Sequence, residues 1–369
     1  MPKMDNEKLV QEKNDANTVE NIPIIVYMSI VCSAGIIGNF VALLFYFSRK
    51  DKSTATLVLT ALSGNDWICS IVLLSSTAGL VHSMTYTHVA ACKLQGFLNH
   101  IFVKNSTLLL FILALDRYFS ICKISKWKSL FAERKTVVCK IICTTGLSIL
   151  FSIRELVFFE VGPIDFTIAD NITVIGNRCM ITREKRLAKI STAFEIIDFI
   201  LILVIMIVML TLYTLIIRKV SSVGKRRRLT PNNVAMDDCQ STQVSEISST
   251  TEKQIPNETN VVERNTPKTI CPNTYVTTTD HWSSTIKRRL TQMAFVLTLA
   301  SVLSFVPYFV VSIIAKLHKV LPIWARIVYR SYALNSTMNP YLIGYYNSEF
   351  REFIKNIITC RFLQRLRSN

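Results

Sequence analysis

Two groups of residues in this chain have types and spacing that could do chemistry. Asp116, Arg117 and Tyr118 close a run from Cys92 that is largely apolar, holding two lysines, Lys93 at its start and Lys104, and no acid before Asp116. Its 25 residue steps from Cys92 to Arg117 cover roughly 38 Å as a helix, enough to cross a bilayer on a tilted path. A carboxylate beside a guanidinium at such a helix end is costly unless the pair has a task; charges that snorkel to the interface are the bland alternative. The second group centres on Asp66, inside another apolar run beside Asn65, with Asn39, Ser106, Asn335, Ser336 and Asn339 in further runs. One carboxylate with hydroxyl and amide oxygens can form a hydrated cluster or hold a sodium ion, because hard cations prefer oxygen ligands. Each polar residue alone could equally make one interhelical hydrogen bond worth about 1 kcal/mol. Enzyme chemistry has no support: there is no Ser-His-Asp order, no glycine-rich phosphate loop, no metal-ligand spacing, and the five histidines (82, 88, 100, 281 and 318) are scattered.

The elements that must position these residues are membrane spans. Half of the residues are hydrophobic, 18% are charged and the mean hydropathy is +0.35, too apolar for an ordinary soluble protein. Apolar stretches recur at about 22–47, 54–80, 92–122, 136–161, 188–217, 290–316 and 322–346, each near or above the length a spanning helix needs. The net charge of +17 falls on one side of this seven-span order: Arg49, Lys50 and Lys52 in the first loop, Lys123, Lys126, Lys128, Arg134 and Lys135 in the second, Arg218, Lys219, Lys225–Arg228 and Lys287–Arg289 in the third, and Arg361, Arg365 and Arg367 in the tail. Positive-inside bias then puts the N-terminus outside the cell and the C-terminus in the cytoplasm. The basic balance is topology, with no nucleic-acid partner implied. Residues 1–21 are polar and the first apolar run is span-length, so no cleavable signal is expected. Of ten cysteines only Cys92 and Cys179 fall outside, and an oxidising exterior favours a Cys92–Cys179 disulfide.

The set Gly38-Asn39, Asp66, Cys92, Asp116-Arg117-Tyr118, Pro307 and Asn335-Ser336-x-x-Asn339-Pro340, one motif per helix over residues 22–360, resembles the rhodopsin-like (class A) G-protein-coupled receptors, most closely their peptide-receptor branch. The resemblance implies an all-α membrane protein: a seven-transmembrane helix bundle with a short amphipathic helix 8. Residues 1–21 are then the extracellular N-terminus, 22–346 the bundle with 218–286 as its third cytoplasmic loop, and 347–369 helix 8 with a short tail. It implies a plasma-membrane receptor that activates a heterotrimeric G protein. Arg117, with Asp116 as its resting partner and Tyr118 and Tyr213 nearby, would carry coupling. Pro307 and Pro340 would serve as hinges, since each frees a carbonyl and bends its helix. Asp66 with Asn39, Ser106, Asn335, Ser336 and Asn339 would form the sodium or polar core. Departures cluster where the family activates: Phe305 stands for the usual Trp, Ser301 for a Phe, Ile343 for a Tyr and Ile205 for a Pro, and helix four has no Trp. They bear on activation mechanics, not on the fold. Lys287 stands where some relatives put an acid that also locks the motif Arg, so ligand-free signalling is expected.

The resemblance also sorts the ligand. Residues 322–347 hold no lysine for a retinal Schiff base, and Asn99 stands where amine receptors place an Asp. The outer mouth instead combines Asn99, His100 and Val103 with Glu195 and Asp198, Arg154-Glu155, Phe305, Tyr308, Arg326, Tyr329, Arg330 and Tyr332. Both charge signs and several tyrosines suit a peptide; internal salt bridges are the alternative for Arg154-Glu155 and the arginines. A lipid or small-molecule ligand, and a non-signalling decoy or scaffold of the same fold, stay open. A transporter using Asp66 as an ion path lacks an internal repeat.

Loop two carries the glycosylation sequon Asn171-Ile172-Thr173, and its Val, Ile and Thr runs could pair as a hairpin tied by Cys179. Residues 229–285, rich in Ser, Thr, Asn and Pro, read as disordered. Ser245, Ser248, Ser249, Thr250 and Thr251 there are candidate kinase sites that would recruit an arrestin. After Pro340, Ser348 is expected to cap a helix whose Phe350, Phe353, Ile354, Ile357 and Ile358 form one apolar stripe. That helix would lie on the lipids of the inner leaflet, with Cys360 as a palmitoylation site.

Overall fold

The computed structural model describes residues 3–50, 53–122, 133–167, 173–229, 276–317 and 321–359. It comprises two compact units, residues 1–216 with 287–369, and residues 217–286. In the second, the described residues 217–229 and 276–286 are helical. Among the described residues, six helices are long and apolar enough to cross a membrane: within α1 (Lys3–Ser48), α2 (Thr54–Val81), α3 (Val89–Cys122), α4 (Arg134–Ser152) continued by α5 (Glu155–Phe158), α6 (Lys185–Leu229) and α7 (Val276–Leu317). The seventh apolar stretch is divided into α8 (Ile323–Val328) and α9 (Ala333–Tyr346), and α10 (Ser348–Ile358) follows. α1 packs on α2, α2 on α3, α3 on α4, and α9 returns to α1 and α2.

Two spans expected to be continuous are interrupted, and each break holds an arginine. Between α4 and α5, Leu156 N bonds to Ile153 O and Val157 N to Arg154 O; between α8 and α9 the same three-residue spacing joins Arg330 N to Ile327 O, Ser331 N to Val328 O and Ala333 N to Arg330 O. These tighter turns keep the backbone satisfied inside a membrane while redirecting the side chains. A hydropathy window does not register such a change.

The boundary expected between residues 21 and 22 is not a structural one. α1 begins at Lys3, and 46 residues make a helix of roughly 69 Å, about twice the hydrocarbon thickness. Its polar half is held by side chains one helical face apart. Asn14 Nδ2 donates to Val81 O at 2.9 Å and Asn14 Oδ1 accepts from Met84 N at 3.0 Å, while Thr18 Oγ1 reaches Val81 O and Asn17 bonds Ser83. Asn14 is thereby buried, and Asn21, which donates to Asn17 O and accepts from Arg326, is buried as well.

Residues after α5 form the expected hairpin, β1 (Phe159–Thr167) antiparallel to β2 (Thr173–Ile181), with Val161 opposite Cys179 and Gly162 opposite Arg178. Cys179 is bonded to Cys92 at the start of α3, with Cα atoms 5.6 Å apart. Residues 84–86 run beside β2 through Asn177 N to Met84 O at 2.8 Å and Tyr86 N to Asn177 O at 3.0 Å. Gly176 makes that approach possible: a Cβ there would stand 2.7 Å from the Met84 carbonyl oxygen.

At the opposite end, α10 docks by Phe350 and Phe353 on the Phe45 ring of α1, at 5.1 and 5.4 Å between centroids. Its N-cap is Asn347, not Ser348: Asn347 Oδ1 accepts from Glu349 N at 3.0 Å and Phe350 N at 3.2 Å. An Asx side chain at that position reaches both free amides, which leaves Ser348 as the first helical residue. Asn171, Cys360 and the loop-three Ser and Thr sites lie outside the described residues, and nothing is described of the Lys287 side chain.

Candidate functional site

The structure brings the chemistry-bearing residues together in three tiers along the bundle. At the middle tier, Asp66 is fully buried. It accepts from Asn339 Nδ2 at 2.5 Å and Asn65 Nδ2 at 3.2 Å, with the Ser106 and Ser336 hydroxyls directed at it as well. Asn335 Nδ2 donates to Ser106 Oγ at 3.3 Å, while Asn335 Oδ1 is buried without a hydrogen-bond partner. This set fits a small hard cation: one carboxylate, two hydroxyl oxygens and an amide oxygen with an unused lone pair.

Asn39 serves the same tier from α1. Pro340 has no N–H, so the Ser336 carbonyl four residues earlier lacks its helical donor. Asn39 Nδ2 fills that place at 2.9 Å and also bonds Gly35 O at 2.9 Å. The helices can approach this closely because residue 38 is glycine: a Cβ there would stand 2.7 Å from Pro340 Cγ.

At the lower tier, Arg117 Nε donates to Asp116 Oδ2 at 3.0 Å and its Nη2 pairs with the same oxygen. Thr54 Oγ1 donates to Asp116 Oδ1 at 2.7 Å. Both ions are buried, so the pair is shielded from competing water. Tyr118 lies edge-on to Phe119. Tyr213 is fully buried against Phe295 at 5.6 Å, with Thr298 and Arg117 in electrostatic reach of its hydroxyl.

At the upper tier, below the hairpin, a cavity of about 470 Å³ is lined by Asn99, His100, Val103, Glu195, Asp198, Phe305 and Tyr308, all expected there. Arg326 and Arg330 are not in its wall. Arg326 turns to α1, where it pairs with Glu20 and donates to Asn21 Oδ1 at 3.1 Å, and Arg330 Nη1 donates to Arg326 O at 3.1 Å. The sequence reading missed Lys104, which lines the cavity and stands 3.0 Å from Asp198. The signal was present as a lysine deep inside an apolar run; what was missing was its partner. Arg154 of the fourth span pairs with that same Asp198 and, at 3.2 Å, with Glu155, which faces His100 Nδ1 at 3.4 Å. Arg154-Glu155 is thus an internal salt bridge. The aromatic wall is continuous: Tyr308 lies 5.2 Å from both Tyr329 and Tyr332, and Phe309 packs against Phe199 and Phe305.

Against known families, residues 38–342 match the 7 transmembrane receptor (rhodopsin family). The chain belongs to the rhodopsin family of G-protein-coupled receptors. The matched region takes in the polar core, the Asp116-Arg117 pair and the cavity, so the receptor is a multi-pass plasma-membrane protein and not an enzyme. No curated protein matches it. Within the family frame, the three tiers correspond to an outer cavity, a polar middle and a charged end, joined by α3, which contributes to all of them.

Proposed function

We propose that the receptor binds an extracellular peptide in the 470 Å³ cavity and activates a heterotrimeric G protein through Arg117. The observation that carries the ligand class is the cavity wall itself. Lys104, His100, Glu195 and Asp198 present both charge signs beside Tyr308, Tyr329 and Tyr332, which suits backbone amides, charged termini and side chains together rather than one apolar tail. The N-terminal end of α1, the hairpin and the mouth of the cavity then lie outside the cell. The Asp116-Arg117 pair lies at the cytoplasmic side, consistent with the positive-inside charge pattern.

In the resting state Asp116 holds Arg117 as a charge-assisted pair, and Thr54 orients the carboxylate. A peptide that favours the open form shifts the population toward it. Pro307 is where the sixth span can bend, and Arg117, once released, meets the G protein's C-terminal helix. Asp66, Ser106, Ser336 and Asn335 Oδ1 would hold a sodium ion, which when bound supplies positive charge to the buried carboxylate. Loop three would recruit kinase and arrestin, Asn171 would carry a glycan and Cys360 a palmitoyl chain.

The test is a peptide-library screen on cells expressing the chain with a promiscuous G-protein reporter, run beside Arg117→Ala. A peptide that signals in the wild type and fails in Arg117→Ala supports ligand class and coupling residue together. Silence with surface expression intact points to a lipid or small-molecule ligand, or to a decoy. The decoy has one observation in its favour: Ile343, where relatives carry a Tyr, is buried. G-protein dissociation assays separate the two readings.

A further inference from the structure

α3 packs closely on α4, but α6 approaches neither backbone as closely, and the space left between the three is a second cavity. Its volume is about 360 Å³, within the range of about 300–1,000 Å³ that small-molecule sites occupy. Lys104, Asp198 and Ile202 line both this cavity and the outer one, so the ion pair is a partition between them. Lys104 stands twelve residues after Cys92 and thirteen before Arg117, which puts the partition near the middle of the span. On the other side the wall is formed by Leu147 and Phe151 of α4 and Leu201 of α6. All three are exposed on the outside of the bundle, so the cavity opens sideways, toward the acyl chains.

The wall is apolar except at four residues, and two of those have unused donors. Thr107 Oγ1 donates to Val103 O at 3.2 Å, and Asp198 is held by Lys104 and Arg154. Ser148 Oγ is buried with no hydrogen-bond partner. The neighbouring hydroxyls of α4 bond back to their own helix, Thr144 and Thr145 both donating to Ile141 O at 2.9 Å, and Ser148 does not. Lys104 Nζ, though 3.0 Å from Asp198 Oδ2, is likewise buried without an aligned hydrogen bond. An unpaired donor in an apolar setting is costly, so an acceptor placed there is favoured.

The chemistry of the occupant follows from this wall. Both unused groups are donors, which asks for an accepting oxygen. Lys104 and Arg154 are already balanced by Asp198 and Glu155, which asks for a neutral molecule. A phospholipid acyl chain brings no acceptor to this depth, and its headgroup stays at the interface. We propose that the cavity between α3, α4 and α6 is a second ligand site, which takes from the bilayer a neutral apolar molecule with one hydrogen-bond-accepting oxygen. Ser148 and Lys104 hold that oxygen, and the apolar side chains surround the rest. The site goes beyond the peptide reading and does not depend on it.

The probe is octanol bearing a diazirine, photolysed with the purified full-length receptor in phosphatidylcholine discs, and the labelled residues are mapped by mass spectrometry. The matching diazirine octane, which lacks the oxygen, is the control. Octanol labelling of residues 147–151 is expected to saturate, whereas octane labelling rises in proportion to its concentration in the bilayer. Ser148→Ala should move half-saturation to up to about tenfold higher concentration. Leu201→Trp, which fills the cavity from α6, should abolish the saturable part. Leu150→Trp, exposed on the same helix and outside the cavity wall, should label like the wild type. Labelling that never saturates in the wild type, or that persists unchanged in Leu201→Trp, overturns the site. Saturable label found on Tyr308 or Tyr329 in place of residues 147–151 assigns the probe to the outer cavity and overturns it as well. Loss in Leu201→Trp with no shift in Ser148→Ala overturns the hydrogen-bonding chemistry.

Discussion

Lys104 Nζ of the third span lies 3.0 Å from Asp198 Oδ2 of the fifth, and both side chains are mostly, though not fully, withdrawn from solvent. Asp198 also pairs with Arg154 of the fourth span, so one carboxylate holds three helices in register around the cavity. Removing one partner of a buried pair leaves the other ion without compensation.

Asp198→Asn is therefore expected to destabilise the receptor by about 3–5 kcal/mol, seen as a lower Tm and reduced surface expression. Lys104→Met added to Asp198→Asn should recover part of the loss, because Arg154 keeps Glu155. An Asp198→Asn receptor as stable as the wild type would show that the ion pair does not hold the spans.

Gly38→Ala places a methyl group 2.7 Å from Pro340 Cγ, against a ring that cannot move without its helix. The expected cost is about 1–3 kcal/mol, measured by thermal unfolding. Gly64→Ala is the control: its Cβ would meet Leu43 Cδ1 at 3.6 Å, an ordinary contact. Equal effects at the two positions would remove the packing argument.

Asp116→Asn takes away the charge of the bond that restrains Arg117. A charge-assisted bond is worth about 1.5–3 kcal/mol, so ligand-free reporter signal should rise several-fold over wild type at matched surface expression. Thr54→Ala, which only unfixes the carboxylate, should act in the same direction and less. A fall in basal signal in both variants would mean that the pair supports the active form instead.

Asp66→Asn should abolish any dependence of agonist affinity on sodium chloride relative to choline chloride, since the replacement removes the one formal negative charge in that oxygen set. Sodium sensitivity that persists in the variant would place the ion elsewhere.

The spans and their order follow from hydropathy alone, because the bilayer sorts residues by transfer energy whatever the packing. The hairpin and its disulfide were legible for a related reason: of the ten cysteines, Cys92 and Cys179 were the two assigned to the oxidising side. The polar half of α1 was not legible. Asn14, Asn17 and Thr18 look like solvated residues until Val81, Ser83 and Met84 are placed beside them. Nor was the turn at 329–332, since an i→i+3 bond leaves no mark on composition.

What the sequence by itself determined is the class of protein and the identity of its polar groups: Asp66, Asp116, Arg117 and the acids and arginines of the mouth are costly in a membrane and announce themselves by type. Only the tertiary structure decided which of them meet. Lys104 and Asp198 are 94 residues apart in sequence, and Asn39 and Ser336 are 297 apart. Such pairings depend on helix rotation and register, set by close contacts such as Gly38 on Pro340, and the hydrophobic effect that builds the spans carries no information about them.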